Sequence, residues 1–474
     1  MFLIPGHDPA SPAAEDESGR ILTYGRLRAE AGELAKSLEP RALVFLFCGN
    51  DFGTLIGYLA SLLRRAVPLL LDHRLDQTLV RRLSDIYRPA FIWRLENEEA
   101  AGYTVAKCEG YALTATGLSP WPLHEDLALL ITTSGSTGSP KLVRQSLRNL
   151  ESNARSIAQY LGLNASERAM TTLPFNYVYG LSVVNSHLWA GGTLLLTDRS
   201  LVQKEFWAFF HRARPTSLAG VPYTYELLKR LRFLQMETPG LATLTQAGGK
   251  LNPELHREFA EYALSRGKKF VVMYGAAEAT ARMAYLPPEK ALEKCGSMGR
   301  PIPGGRFTLE DEHGSEIFEN GPTGELVYYG DNVTLGYAES GADLARGDER
   351  RGRLATGDLA RRDEEGYYYV TGRKNRFLKI FGHRLGLDET EQLLKTRFPH
   401  LECACLGRDD RLRVFAAGDV QGEGFDFQAE AIKNFLVETT RLNPSAFEVA
   451  LVPEIPKNEA GKTLYAKLEA DHAP

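Results

Sequence analysis

The sequence predicts an α/β protein with a large N-terminal α/β domain of several subdomains and a small α+β C-terminal domain. Three observations carry that expectation. Short apolar strands alternate with amphipathic helices through the first part of the chain. From about Phe307 the texture changes to short strands separated by turns. After Asn375, two helical stretches and three strands follow within about 100 residues, enough for an independent small domain.

Taken in order, Ala42 to Cys48 (ALVFLFC) reads as a buried strand, and the helix after it places Phe52, Leu55, Ile56, Leu59, Leu62 and Leu63 at 3-4 spacing. AVPLLLD returns as a strand, which closes a βαβ unit expected to be right-handed with parallel strands. LALLITT is the next strand, and a helix capped by Ser146 is expected over Leu147 to Leu163. GTLLLT and KFVVMYG read as further strands. Beyond Phe307, GELVYYG and GYYYVTGRKNRFLKIFG carry the β-branched and aromatic content of short strands. A helix over Asp388 to Phe398, a strand holding Cys403 and Cys405 on one face, a strand near RVFAAGD, a helix over Ala429 to Thr440 and a last strand complete the series. No repeat, low-complexity tract or long linker intervenes, so the boundary at Asn375, between 1–374 and 376–474, is expected to be a tight hinge.

Composition narrows the function classes. With 474 residues and 43% apolar content the chain can bury a large core. A net charge of −4 supplies no electrostatic reason for a nucleic-acid or anionic-membrane partner. The opening MFLIPGHDPA has no basic segment and its apolar run stops at Pro5 and Gly6, unlike a signal peptide. No apolar run approaches the roughly 20 residues that span a bilayer, so a cytoplasmic location is expected. Five scattered cysteines without a CxxC pair do not make a disulfide framework, and Cys403 and Cys405 read as core residues.

The most informative stretch is TTSGSTGSPK, Thr132 to Lys141. Gly135 and Gly138 open backbone geometries closed to other residues, and the hydroxyls of Thr132, Thr133, Ser134, Ser136 and Thr137 add donors to the loop's N–H groups. Such a loop can wrap an anion where it leaves a strand of an open α/β sheet. It is not a Walker loop: the glycines are too close, no Lys-Ser/Thr pair follows the second, and Pro140 removes one N–H. Taken alone it is equally a solvated Ser/Gly turn.

Together with TYGRLR, LPFNYVYGLS, AGGKL, MYGAAEAT, GSMGRPIPG, GELVYYGDNVTLGY, ATGDLARRDEEGYYYVTGRKNRFLKIFGHRLGLDETE and PKNEAGKTLYAKL, in that order, the loop resembles the motif set of the adenylate-forming superfamily. That superfamily includes acyl-CoA synthetases, adenylation domains of peptide synthetases, and luciferases. The resemblance covers about residues 20 to 470. It implies a large N-terminal domain, a small mobile C-terminal domain, and a two-step reaction. A carboxylate attacks the α-phosphorus of ATP and pyrophosphate leaves; a thiol then attacks the acyl carbon and releases AMP. Bringing an anion to a polyanion calls for cations and aligned donors more than for a protein nucleophile, and no Ser-His-Asp or Cys-His motif is found.

The same resemblance implies roles position by position. Thr133, Ser134, Gly135, Ser136, Thr137, Gly138 and Lys141 would cradle the β- and γ-phosphates, with Lys141 on the departing pyrophosphate. Tyr274 would lie beside the adenine, with Gly275, Ala276 and Ala277 along the nucleotide, and Glu278 would bind Mg²⁺. Ala277 stands where the family usually has Thr, which removes one hydroxyl from the α-phosphate. Asp358 would hold the ribose hydroxyls with help from Arg373, Gly248 and Gly249 would let the backbone approach the ligand, and Lys379 would join the nucleotide site. Lys462 would be the main catalytic cation, and Arg384 would contact phosphate in the adenylating state. Asn375 would be the hinge about which the small domain turns, after which Phe381 and Gly382 would line the thiol path. Each residue taken singly has a plainer reading as a turn residue or a solvated charge.

Tyr177, Val221, Gly249 and Tyr274 would bound the acyl pocket, with Tyr177 where many acyl-CoA synthetases have His. No acidic residue lies between Pro174 and Ala190 to meet a substrate ammonium, so an uncharged acyl or aryl acid is expected. Leu147 also replaces a histidine common after the loop, for which the sequence offers no functional account. The implied partners are a small carboxylic acid and CoA. The alternatives are a stand-alone adenylation enzyme charging the phosphopantetheine of an acyl carrier protein, and a catalytically inactive nucleotide-binding homologue.

Overall fold

A computed structural model of the protein describes residues 6–98, 102–132, 141–374, 376–381, 383–408, 410–418, 425–457 and 463–472. By its internal contacts the chain divides into two compact units, one holding most residues up to Phe307 together with Tyr328–Leu354, the other holding Thr308–Val327 and the chain from Ala355 onward. The change of sequence texture at Phe307 coincides with that division.

In the first unit, strand β1 (Leu43–Cys48) is buried along its whole length, as an unbroken apolar run requires when both faces of a parallel sheet are covered. Helix α1 (Phe52–Arg64) begins at Asp51, whose carboxylate accepts from Thr54 N. Of the apolar positions read from its spacing, Leu63 is the exposed one. Strand β2 (Val67–Asp72) lies parallel to β1, completing the predicted βαβ unit, and β3 (Leu127–Thr132) lies parallel to β2. The chain then returns at once as β4 (Leu142–Ser146), antiparallel to β3, with Thr132 opposite Leu142. The Ser/Thr/Gly loop therefore starts and ends on one hairpin, a strand that the sequence reading did not anticipate.

Helix α2 (Leu147–Leu161) starts as predicted at Ser146: Ser146 Oγ accepts from Asn149 N at 3.1 Å while Asn149 Oδ1 accepts from Ser146 N at 2.8 Å. It stops two residues short of Leu163 because Gly162 turns left-handed at φ 70°. Helix α3 (Val178–Ala190) follows, then β5 (Thr193–Leu196), β6 (Ser217–Gly220), β7 (Thr243–Gln246) and β8 (Lys269–Tyr274). With Arg168–Met170 between β5 and β6, these strands form the parallel centre of a second sheet. Strand β9 (Gly336–Ala338) adds to the first sheet against β4. One buried apolar cluster joins the two sheets, with Leu46 and Ile131 from the first, Leu194 and Val271 from the second, and Leu59, Leu150 and Val184 from the helices.

The second unit contains β10 (Arg353–Arg362) antiparallel to β11 (Tyr368–Arg373), then a hairpin of β12 (Phe377–Ile380) and β13 (His383–Gly386). Helix α4 (Leu387–Arg397), strands β14 (Leu401–Arg408) and β15 (Arg411–Gly418), helix α5 (Phe425–Thr440) and strand β16 (Phe447–Leu451) follow the predicted order. Cys405 is fully buried in this core and Cys403 packs partly buried against it. A final helix, Tyr465–Asp471, was not read from the sequence. Among the described residues no helix is long and apolar enough to cross a membrane.

His187 is sealed inside α3, with Nδ1 2.8 Å from Val183 O and Nε2 3.3 Å from Ser217 Oγ. Burial, with Arg282 nearby, holds its pKa down at about 4. The unfolded chain takes up that proton near pH 6.5, so the contribution to stability is complete above that pH and is lost as pH falls toward 4, at about 1.4 kcal/mol per pH unit. Urea unfolding between pH 7 and 5 should show this slope in the wild type and a flatter one in His187→Gln; equal slopes would contradict the assignment.

Candidate active site

The site is organised by the ends of parallel strands. Gly220, Gln246 and Val272 stand side by side in register on β6, β7 and β8, so the segments that follow them, Val221, Ala247–Gly249 and Tyr274, emerge along one carboxyl edge of the sheet. Gly248 there has φ +84°, and a Cβ on it would lie 2.7 Å from the Tyr177 hydroxyl and 3.0 Å from Val221 Cγ1. Tyr177, Val221 and Gly248, three positions read from the sequence, thus form one wall. Tyr177 caps α3, and burial pushes its phenol up to about 12, so it stays neutral and hydroxylic at working pH.

After Tyr274 the chain doubles back sharply. A Cβ on Gly275 would overlap the Ala281 carbonyl oxygen, and Thr280 and Ala281 both take positive φ, 52° and 97°. The fold-back is held by its carbonyls: Ala276 O accepts from Ala279 N and Ala281 N, Glu278 O from Thr334 N and Arg350, and Ala279 O from Asn332 Nδ2. This presents Glu278, on the single turn Ala277–Ala279, to the hydroxyl of Tyr337 on β9, which donates to Glu278 Oε1 at 2.6 Å. Burial, then the Glu278 carboxylate beside it, pushes the Tyr337 phenol up to about 12, keeping it a neutral donor. Lys141 Nζ lies 3.7 Å over the same ring and 3.3 Å from Glu339, and Arg350 stacks 4.5 Å from the ring. Lys141 and Glu278 are thereby joined through Tyr337. Sequence reading did not single out Tyr337, although it closes the quoted GELVYYGDNVTLGY motif.

Glu278 retains Oε2 for a cation. One carboxylate with phosphate and water oxygens suits Mg²⁺, and no group of three His, Cys, Asp or Glu among the described residues forms a separate cage. Tyr274 meets Phe307 edge-on, with ring centroids 6.4 Å apart. Gln145 Nε2 donates to the carbonyl of Ala277 at 3.4 Å, so that residue is tied through its backbone.

In the second unit Asp358 and Arg373 are direct cross-strand partners on β10 and β11, and Arg373 Nε lies 3.2 Å from Asp358 Oδ1. Asp358 N donates to Thr356 Oγ1 at 3.1 Å. Lys379 and Arg384 occupy facing positions of the β12–β13 hairpin, and Phe381 sits at its tip, half-exposed at φ +49°, its N donating to Asp410 Oδ1 at 2.6 Å. Thr133, Ser134, Gly135, Ser136, Thr137, Gly138, Asn375, Gly382 and Lys462 lie outside the described residues.

Residues 5–338 match the AMP-binding enzyme family. A sulfoacetate–CoA ligase of Cupriavidus necator is 28% identical, covering 95% of this chain and 93% of that protein. An indoleacetate–CoA ligase of Aromatoleum aromaticum is 31% identical over 70% of this chain and 65% of that protein. Among solved structures, the o-succinylbenzoate CoA synthetase of Bacillus subtilis in complex with its acyl-adenylate intermediate superposes with a TM-score of 0.79 at 22% identity, covering 97% of this chain and 96% of that one. The same synthetase with ATP and magnesium gives 0.77 at 22%, covering 97% of each.

Because a Cβ at Gly275 has backbone in its way, Gly275→Ala should lower stability by about 3 kcal/mol. Gly32, inside the helix Tyr24–Lys36 with open space around it, is the control: Gly32→Ala should raise stability by about 0.5–1 kcal/mol. Chemical denaturation of the two variants checks the pair, and a Gly275→Ala protein as stable as wild type would refute the fold-back.

Proposed function

Because the chain belongs to the AMP-binding enzyme family, we propose that it is an ATP-dependent ligase that joins a carboxylic acid to the thiol of CoA. It is an AMP-forming acid–thiol ligase, and its reaction has two steps. An oxygen of the substrate carboxylate bonds to the α-phosphorus of ATP, the bond from that phosphorus to the bridging oxygen breaks, and pyrophosphate leaves. The sulfur of CoA then bonds to the acyl carbon, the acyl–phosphate bond breaks, AMP leaves, and the thiol proton passes to solvent.

The observation that carries this reading is the joining of Lys141 to Glu278 through Tyr337, beside the wall of Tyr177, Val221 and Gly248 at one sheet edge. A cation, a carboxylate held by a neutral phenol, and an apolar wall suit a reaction between two anions, in which charge must be balanced rather than a proton abstracted. Glu278 would hold Mg²⁺, which supplies charge neutralisation on the phosphate oxygens. Lys141 would steady the pyrophosphate end, Tyr274 the adenine, and the Asp358–Arg373 pair the ribose. Lys462 is assigned the role of principal cation in the first step. The acceptor is assigned as CoA because a relative matched along nearly the whole chain is a CoA ligase. The named relatives act on sulfonated and aromatic acids alike, so likeness alone leaves the acid's character open.

Carboxylate-dependent ATP–pyrophosphate exchange over a panel of acids, followed by transfer to CoA and to carrier proteins, tests the reading. Exchange with no acid would return the chain to a nucleotide-binding role, and transfer to carrier protein alone would replace CoA as acceptor. Lys462→Ala should slow adenylate formation by on the order of 10²-fold or more while thioester formation from supplied acyl-adenylate stays near the wild-type rate; equal losses in both half-reactions would remove Lys462 from its role. Asn375→Pro should keep pyrophosphate exchange measurable and cripple thioester formation, and the opposite pattern would refute a hinge there.

A further inference from the structure

Arg94, Arg144 and Arg282 are the buried guanidinium groups among the described residues. Two have acids: Arg94 pairs with Glu98 at 2.7 Å, and Arg144 pairs with Glu349 at 2.5 Å. Arg282, only 2% exposed, has none. Its Nε donates to Ser182 Oγ at 3.1 Å and its Nη1 to the Tyr160 hydroxyl at 3.1 Å, with Met273 Sδ at 3.2 Å, and its plane lies 5.1 Å over the Tyr179 ring. Each of these partners is neutral, and among the described residues none bonds Nη2. A guanidinium stays charged when buried, and among the described residues no acid pairs with this one. That arrangement is costly unless an anion completes it.

The position of the charge says where the anion comes from. Tyr179 stands next to Tyr177 on α3, the two rings edge-on with centroids 6.4 Å apart, and the Tyr179 hydroxyl bonds Thr245 on β7. Met273 directly precedes Tyr274 at the end of β8, and Ser182 is one turn along α3 from Tyr179. Arg282 therefore stands one ring away from the wall residue Tyr177, with Tyr179 between them. The neighbouring polar cavity that Ser182 also lines is a different place, because Gln145 Oε1 and Asn153 Oδ1 present unsatisfied acceptors to their surroundings, and these suit a water molecule and would repel an anion.

We propose that the acid this ligase activates carries a second anionic group, a carboxylate or sulfonate, which Arg282 neutralises, the hydroxyls of Tyr160 and Ser182 already donating to Met273 Sδ and Tyr179 O. The inference rests on the ligase reading and deepens it. The absence of an acidic residue on α3 had pointed to an uncharged acid; the buried base reverses the sign of the missing charge instead of removing it.

The test is pyrophosphate exchange with acids that carry one anionic group, propanoate, butanoate and pentanoate, against acids that carry two, malonate, succinate and sulfoacetate. Wild-type protein should favour the doubly charged set in kcat/KM by about 10²-fold, through KM more than kcat. Arg282→Met should abolish that ratio and Arg282→Lys should restore part of it. Within the favoured set, malonate and succinate against sulfoacetate distinguishes a carboxylate from a sulfonate. Exchange confined to the uncharged acids, or a ratio unmoved by either substitution, overturns the anion subsite and leaves the ligase standing. No exchange with any acid in either set overturns both. The wild-type panel decides the matter even where Arg282→Met fails to fold.

Discussion

The return of the backbone after Tyr274 is the constraint on which the first unit's chemistry depends. A chain that reverses this tightly leaves peptide groups pointing inward, and each needs a partner. They find them in side chains from distant segments: Asn332 donates to the carbonyls of Ala279 and Arg282 at 2.7 and 3.0 Å, Asn153 to Arg282 O at 2.9 Å, and Thr280 Oγ1 donates to Asn332 O at 2.8 Å. The positive φ of Ala281 persists because these bonds over-determine it. With the backbone held, the directions in which Glu278 and Arg282 leave it are fixed.

The same nine-residue segment, 274–282, sends opposite charges in different directions. Glu278 accepts from the phenol of Tyr337, while Arg282 is driven into the core among hydroxyls, a thioether and an aromatic face.

In the second unit, Asp358 and Arg373 show a plainer device. Fifteen positions apart in sequence, they become direct partners because β10 and β11 are antiparallel with a shift of register between Leu359 and Ala360. The irregularity keeps both side chains on one face, where a one-residue slip would otherwise separate them.

What the sequence by itself determined follows from local periodicity and turn chemistry: the βαβ opening, the Ser146 cap, the change at Phe307, the strand–helix order of the C-terminal portion, and the motif series that brings Tyr177, Val221, Gly248 and Glu278 into consideration. Such signals survive because apolar spacing and capping act within a few residues. Only the tertiary structure decided that Tyr337 holds Glu278 to Lys141, and that Arg282 is, among the described residues, the buried guanidinium without an acid. In the sequence one is an aromatic at the end of a motif and the other an arginine within ATARMAYLP, and nothing local distinguishes either from an ordinary surface residue. Their meaning lies in which groups come to meet them from 59, 100 and 122 positions away. Burial and pairing are properties of that assembled environment, and no window along the chain contains it.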